Sequence, residues 1–142
     1  MVKTTAKPSE ENQTSAAYAA VGRRKRAVAR VRLHIGEGEN MINSKPAPDF
    51  CHTINQKKKL VVPFTVAGLT GKYYFTAKAV GGGINGQVDA VVHAISRCIA
   101  QMSESMHTTM SQNGLLKRDS REKERKKINR VRARKMSQFS KR

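Results

Sequence analysis

The sequence predicts a small α/β domain followed by a basic C-terminal tail. Residues Ala27–Ile35 and 72–80 alternate apolar and polar side chains, the period of two that is typical of half-buried strands. Between residues 88 and 102, apolar side chains recur with helical spacing, which predicts an amphipathic helix packed on a sheet. We expect a disordered N-terminal extension over 1–17, a globular domain over 18–116 and a tail over 117–142.

The two faces of the first predicted strand differ in chemistry. Arg30 and Arg32 lie on one face, and the other face is apolar and consists of Ala27, Ala29, Val31, Leu33 and Ile35. Residues 36–40 contain glycines typical of a turn, so we expect a hairpin with residues 41–43 as a short return strand. Pro46 and Pro48 should then end the sheet locally.

The helical segments are less uniform. Residues 60–69 could form a strand, because they are rich in β-branched side chains, or a helix, because Pro63 suits a first helical turn; we favour the helix. After the helix over 88–102, Met106 and Met110 extend its apolar stripe, and Asn113-Gly114 provides a stop. Such a methionine stripe indicates packing rather than a cofactor site.

The tail has a capping-box spacing at its start, where Asp119 precedes Glu122 by three residues. We therefore expect a short helix over 121–127. Beyond Ile128 the chain is too rich in charge to remain compact, so an extended arm should follow.

Positive charge is concentrated in two places. The chain has 28 Lys and Arg against 10 acidic residues, a net charge of +18. The tail holds 13 of these cations with three acids, and six more lie between Arg23 and Arg32 without an acid. The rest of the chain is nearly neutral, so this distribution predicts a polyanionic partner. The arginine content after residue 127 favours folded RNA over a membrane surface, which requires a wider apolar face.

A glycine-rich loop, Gly81-Gly82-Gly83-Ile84-Asn85-Gly86, joins a predicted strand to a predicted helix. It lacks both the Lys-Ser/Thr ending of a P-loop and the register of a dinucleotide-binding loop, so we expect no cofactor. One interpretation is a tight turn that requires positive φ. The other is that the amides at the start of the helix hold a phosphate of a nucleic acid.

Other chemistries find little support in the sequence. The histidines and the two cysteines lack metal-ligand spacing, and the acidic residues have no plausible catalytic partner, so neither a metal site nor an enzyme is expected. Cys51 and Cys98 should be buried, reduced thiols. No apolar stretch is long enough to span a membrane, and the N-terminus lacks features of a secretory signal, which predicts a cytoplasmic protein.

Three motifs resemble those of the small-subunit ribosomal protein family nine. They are Gly22-Arg23-Arg24-Lys25 with Ala29-Arg30-Val31, the glycine loop followed by Gln87, Ala90, Ala94, Ser96 and Arg97, and the ending Phe139-Ser140-Lys141-Arg142. The likeness covers residues 18–142. It implies a two-layer α/β sandwich with a mixed four-stranded sheet, helices on one face, a left-handed β-α-β crossover and an extended basic tail.

The resemblance also implies a function in translation. Family members are constituents of the head of the small ribosomal subunit, where they bind 16S ribosomal RNA, and their last Lys and Arg approach transfer RNA in the P site. Here those residues are Lys141 and Arg142. Members of families seven, ten and fourteen are the expected protein neighbours, and the protein would be ribosome-bound in a bacterial cytoplasm or a plastid stroma.

Together, charge and resemblance predict contacts to ribosomal RNA from three regions. The residues are Arg23, Arg24, Lys25, Arg26, Arg30 and Arg32; Gly81, Gly82, Gly83, Gly86 and Gln87; and Arg118, Arg121, Arg125, Lys126, Lys127, Arg130, Arg132, Arg134 and Lys135. The principal alternative is an architectural protein that compacts DNA with the tail as a mobile electrostatic arm. An enzyme that uses the glycine loop is a distant third.

Overall fold

The computed structural model describes residues 17–140, which form one mixed sheet, four helices and an irregular tail. The strands are β1 (Tyr18–Arg24), β2 (Ala27–Ile35), β3 (Met41–Ile42), β4 (Lys45–Pro46) and β5 (Tyr73–Val80). The helices are α1 (Ala47–Phe50), α2 (Ile54–Ala67), α3 (Ile84–Ala100) and α4 (Glu104–Gln112). This confirms the predicted α/β sandwich with a mixed sheet, although the sheet has five strands rather than four.

The sheet has the order β1-β2-β5-β3-β4, with β3 parallel to β5 and the other pairs antiparallel. Strand β5 pairs with β2 over eight residues, so it occupies the edge of β2 that a hairpin partner would need. The predicted hairpin between β2 and 41–43 is therefore wrong, because those residues pair with the far side of β5. The segment between β3 and β5 contains α2, and the predicted left-handed sense of this crossover stays a prediction.

One face of the sheet carries the core. The side chains of Ala29, Val31 and Leu33 from β2, and of Phe75 from β5, are fully or almost fully buried there. Helix α3 packs across β1, β2 and β5 and buries its apolar stripe, as predicted. The opposite face is open at its centre, because Arg30, Arg32 and Lys78 remain exposed.

Residues 60–69 are helical up to Ala67, as favoured, but for a different reason. Helix α2 begins at Ile54, where Thr53 and Gln56 form a reciprocal capping box, so Pro63 lies inside the helix rather than in its first turn. Phe64 from this helix stacks on Phe75, with ring centroids 6.3 Å apart. Helix α4 completes the layer by burying Met110, which confirms the packing role of the methionine stripe.

The tail has no helix between residues 117 and 140, so the helix predicted over 121–127 is wrong. Asp119, its predicted cap, does accept a hydrogen bond from the backbone N–H of Arg121 and also binds the guanidinium of Arg121, but no helix follows. Farther along, Arg130 and Met136 form an isolated antiparallel bridge around a tight turn. The described part of the arm is therefore not uniformly extended.

Candidate nucleic-acid interface

The basic cluster near the N-terminus lies beside the glycine loop. Lys25 and Arg26 form the tight turn between β1 and β2, with Lys25 at a φ of 51°, and both side chains are exposed. Gly81 and Gly82 pack directly against this turn: a Cβ added at Gly81 would lie 2.6 Å from the carbonyl oxygen of Arg26. Two regions that the sequence placed 55 residues apart thus form one surface.

Packing explains two glycines of the loop but not the third. Gly81 and Gly82 have positive φ values of 76° and 61° and touch the β1–β2 turn, as the tight-turn interpretation requires. Gly83 caps α3 with an ordinary φ of −116°, and a Cβ added there would meet nothing within 4 Å. The protein itself therefore does not require glycine at 83, and its surroundings leave room for a ligand to approach the backbone closely.

The N-terminus of α2 adds cations that sequence reasoning missed. Gln56 in the first turn of α2 donates a hydrogen bond to Asn85 in the first turn of α3, which brings the two helix starts together. Lys57, Lys58 and Lys59 follow on α2 and are exposed. No sequence signal marked them, because three lysines in an amphipathic helix are typical of a solvated face.

Arg24 differs from the other cations of the cluster because its side chain is engaged within the protein. Its guanidinium lies 2.8 Å from a carboxylate oxygen of Asp119 and donates to the backbone carbonyl of Arg121, also at 2.8 Å. Asp89 of α3 lies 3.9 Å away and also pairs with Lys59 at 2.8 Å. We call the set Arg24, Asp119 and Arg121, together with Asp89 of α3, the tail-root cluster.

Electrostatics keeps the tail-root cluster charged. The hydrogen bonds from Arg121 hold the pKa of Asp119 well below its usual range, with further help from the charge of Arg24. Asp119 is therefore an anion at neutral pH, the form that pairs with the guanidinium groups of Arg24 and Arg121.

His93 of α3 makes a second connection to the start of the tail. Its Nε2 lies 3.2 Å from the carbonyl oxygen of Leu116, and its Nδ1 accepts a long hydrogen bond, 3.5 Å, from the backbone N–H of Arg23. Only a neutral ring protonated at Nε2 satisfies both partners. Burial lowers the pKa of His93, the hydrogen bond to Leu116 opposes this, and the charges of Arg97 and Arg118 lower it further, so the net shift favours the neutral form.

The cations of the tail are mostly exposed. Arg118, Arg121, Arg125, Lys126, Lys127, Arg132, Arg134 and Lys135 are exposed, and Arg130 is half-buried. Only Glu124 neutralises any of those beyond Arg121 within the described residues: it lies 2.9 Å from Arg134 and 3.4 Å from Lys127. The predicted tail residues thus form an exposed basic strip, while Lys141 and Arg142 lie outside the described residues.

Apart from its cations, the part of the chain between residues 17 and 140 offers few groups for other chemistry. No group of three His, Cys, Asp or Glu side chains there could hold a metal ion, and no helix is long and apolar enough to cross a membrane. Cys51 and Cys98 are buried and unpaired, as predicted, and burial raises the pKa of Cys98 to about 11. A thiol with such a pKa is unreactive at neutral pH.

Fold and charge define a small α/β protein whose exposed cations lie on a turn beside a glycine loop and along a tail, a layout typical of nucleic-acid-binding proteins. Comparison with known proteins identifies the family. The family model described as "Ribosomal protein S9/S16" matches residues 22–142. The chain therefore belongs to this family and is a structural constituent of the small ribosomal subunit.

Similar proteins span nearly the whole chain. The small ribosomal subunit protein uS9 of Rickettsia bellii is 39% identical over 140 residues, which cover 99% of this chain and 85% of the relative. The uS9 protein of Synechocystis is 41% identical over 133 residues, with 93% and 97% coverage. That of Dehalococcoides mccartyi is 41% identical over 125 residues, with 88% and 95% coverage.

Proposed function

We propose that this protein binds 16S ribosomal RNA in the head of the small subunit through its domain. The observation that carries this proposal is the surface formed by the β1–β2 turn and the glycine loop. Lys25 and Arg26 supply charge there, and Gly83 leaves space for a phosphate at the start of α3. Phosphate contacts of this kind fix the register of a protein on RNA without reading its sequence.

The tail is proposed to reach transfer RNA in the P site with Lys141 and Arg142. Two observations support this. The tail leaves the domain at a defined place, the tail-root cluster, and the exposed strip beyond it carries many more cations than acids. A fully extended stretch of 15 residues spans about 50 Å, which is the upper limit of the arm's reach because the chain turns back between Arg130 and Met136. The strip would neutralise RNA phosphates along its path.

A single experiment separates these two proposals. Ribosomes carrying the protein without Lys141 and Arg142 should retain it in small subunits on sucrose gradients, because the domain makes the ribosomal RNA contacts. Their affinity for transfer RNA in the P site should fall, and reading-frame errors should rise. The matched control replaces Lys123 and Lys126, two tail cations nearer the domain, with glutamine and should preserve P-site affinity.

Each proposal has its own contrary result. Unchanged P-site affinity and fidelity after the deletion would overturn the role of the C-terminus. Loss of the full-length protein from small subunits at moderate salt would instead overturn direct binding to ribosomal RNA.

The protein would be a cytoplasmic or plastid component, and proteins of families seven, ten and fourteen are its proposed neighbours.

A further inference from the structure

The open face of the sheet carries three cations that take no part in packing the sheet against the helices. Arg30 and Arg32 from β2 and Lys78 from β5 project from the side opposite α3, and all three are exposed. Arg30 and Lys78 are direct partners in the β2–β5 register. Like charges placed opposite each other across two strands destabilise a sheet. The stability of the fold therefore does not explain why two cations face each other here.

No acidic side chain in the described part of the chain relieves this repulsion. Within residues 17–140, none of the three cations forms an ion pair with an acidic side chain. They line a shallow groove of about 620 Å³, whose far wall is the tight turn at Ser44 between β3 and β4. That turn is fixed, because the side-chain amide of Asn43 exchanges two hydrogen bonds with the backbone of Ala79. The groove is therefore preformed and positively charged.

The side chains of this face suit the phosphates of an RNA strand rather than its bases. Arg30 and Arg32 are two residues apart on one strand face, about 6.7 Å, so each can meet a different phosphate. The aromatic side chains that follow on this face, His34 of β2 and Tyr74 of β5, are register partners and stack on each other with centroids 4.9 Å apart. The backbone at Gly38 also lies against the Tyr74 ring, where an added Cβ would come within 2.7 Å of it. These rings are engaged within the protein, so the face offers charge rather than a stacking platform for bases.

We infer that this open face is a second RNA-binding surface, which holds the phosphodiester backbone of ribosomal RNA between Arg30, Arg32 and Lys78 without reading bases. The inference rests on the proposed binding of ribosomal RNA and deepens it. It assigns the domain two surfaces in contact with RNA: the end of the sheet that carries the glycine loop, and the face opposite the helices. The domain would then be held on RNA from two directions.

The test compares two charge-matched double variants of the full-length protein. Arg30→Ala with Lys78→Ala removes two cations from the open face. Lys45→Ala with Lys72→Ala removes two exposed cations that lie elsewhere. Lys45 of β4 lies opposite Ile42 of β3, which is buried, so its side chain is on the helix side of the sheet, and Lys72 comes just before β5. Binding to a transcript of the head region of the ribosomal RNA is measured as a function of salt. The open-face variant should lose about 1.4–1.8 from the slope of log K against log salt, and the control much less.

A tethered probe gives a direct reading of what faces the sheet. Both natural cysteines are buried, so Lys78→Cys introduces an exposed thiol that an iron chelate can label selectively. In assembled small subunits, radicals generated there should cleave ribosomal RNA.

The outcomes distinguish this inference from the function on which it rests. Equal slopes for the two double variants, or radical damage confined to neighbouring proteins, would overturn the open-face surface while leaving the other RNA contacts in place. Salt-independent binding by the unaltered protein would overturn the proposed function itself.

Discussion

Gly22 is the residue on which the contact between sheet and helix layer depends most directly. It lies in β1 where α3 crosses, and an added Cβ would lie 2.0 Å from the carbonyl oxygen of Ala90 and 2.6 Å from the backbone nitrogen of Ala94. Because both atoms belong to the backbone of α3, the helix would have to move. We expect Gly22→Ala to destabilise the protein by about 1–3 kcal/mol, with Tm lower by roughly 4–8 °C per kcal/mol.

Gly86→Ala is the matched control for this prediction. Gly86 is also buried, but an added Cβ would make ordinary contacts at 3.5 Å with Ala27 and 3.6 Å with the carbonyl of Arg24. Since alanine favours a helix over glycine by about 0.8–1.0 kcal/mol, Gly86→Ala should leave stability unchanged or raise it. Thermal unfolding of both variants is the measurement. Equal losses of stability would show that close packing at Gly22 is not the cause.

At the scale of elements, the sequence predicted best where one periodicity ran undisturbed. The alternation in β2 and β5 and the apolar stripe of α3 were correct because half-buried elements must present one apolar face. The partner of 41–43 was predicted wrongly because two residues of strand carry too little pattern to choose an edge. Strand β1 produced no pattern of its own, since Gly22 and small alanines stand where larger apolar side chains would mark a buried face.

The helix predicted for the tail failed for a related reason. The spacing of Asp119 and Glu122 indicates a capping box, and Asp119 does accept the backbone N–H of Arg121, but residues 121–127 are all exposed and bury no apolar face that would hold a short helix on the domain. The capping signal is local, whereas the packing that would stabilise the helix depends on the rest of the fold, which sequence spacing alone does not reveal. Arg24 was predicted to contact RNA, but its guanidinium already binds Asp119 and the backbone carbonyl of Arg121.

The tail-root cluster fixes how the tail leaves the domain, and this gives a prediction for the element as a whole. Asp119→Asn removes the anion that joins Arg24 to Arg121. A nitroxide attached at Ser120→Cys, which is exposed, should become more mobile in this variant, because the root loses its charged connection to β1. Electron paramagnetic resonance spectra of the full-length protein are the measurement.

Glu124→Gln is the control for the cluster. It also removes one acid from the tail, but its partners are Lys127 and Arg134, which lie farther along the arm. The nitroxide at position 120 should keep its mobility in this variant. If both variants loosened the label equally, general charge repulsion within the tail, rather than the connection to Arg24, would explain the effect.

For the whole molecule, composition predicted the two basic segments but not how they combine in space. The β1–β2 turn meets the glycine loop, Lys59 of α2 pairs with Asp89 of α3, and Lys78 faces Arg30 across the sheet. Residues 57–59 and Lys78 escaped prediction because a lysine within an amphipathic element has the same sequence pattern whether it faces solvent or RNA. Only the fold brings these cations to common surfaces.

The last prediction concerns how the tail contributes to binding as a whole. Lys123, Arg125, Lys126, Arg130, Arg132 and Lys135 have no ion pair within the described part of the chain, so each is available to displace a counterion from RNA. Replacing all six with glutamine should reduce the slope of log K against log salt by about 4–5 for ribosomal RNA. Competition by duplex DNA in the same titration also tests the architectural alternative, because a protein adapted to folded RNA should prefer ribosomal RNA at physiological salt. An unchanged slope would contradict the electrostatic role of the tail, and equal affinity for duplex DNA would favour the alternative.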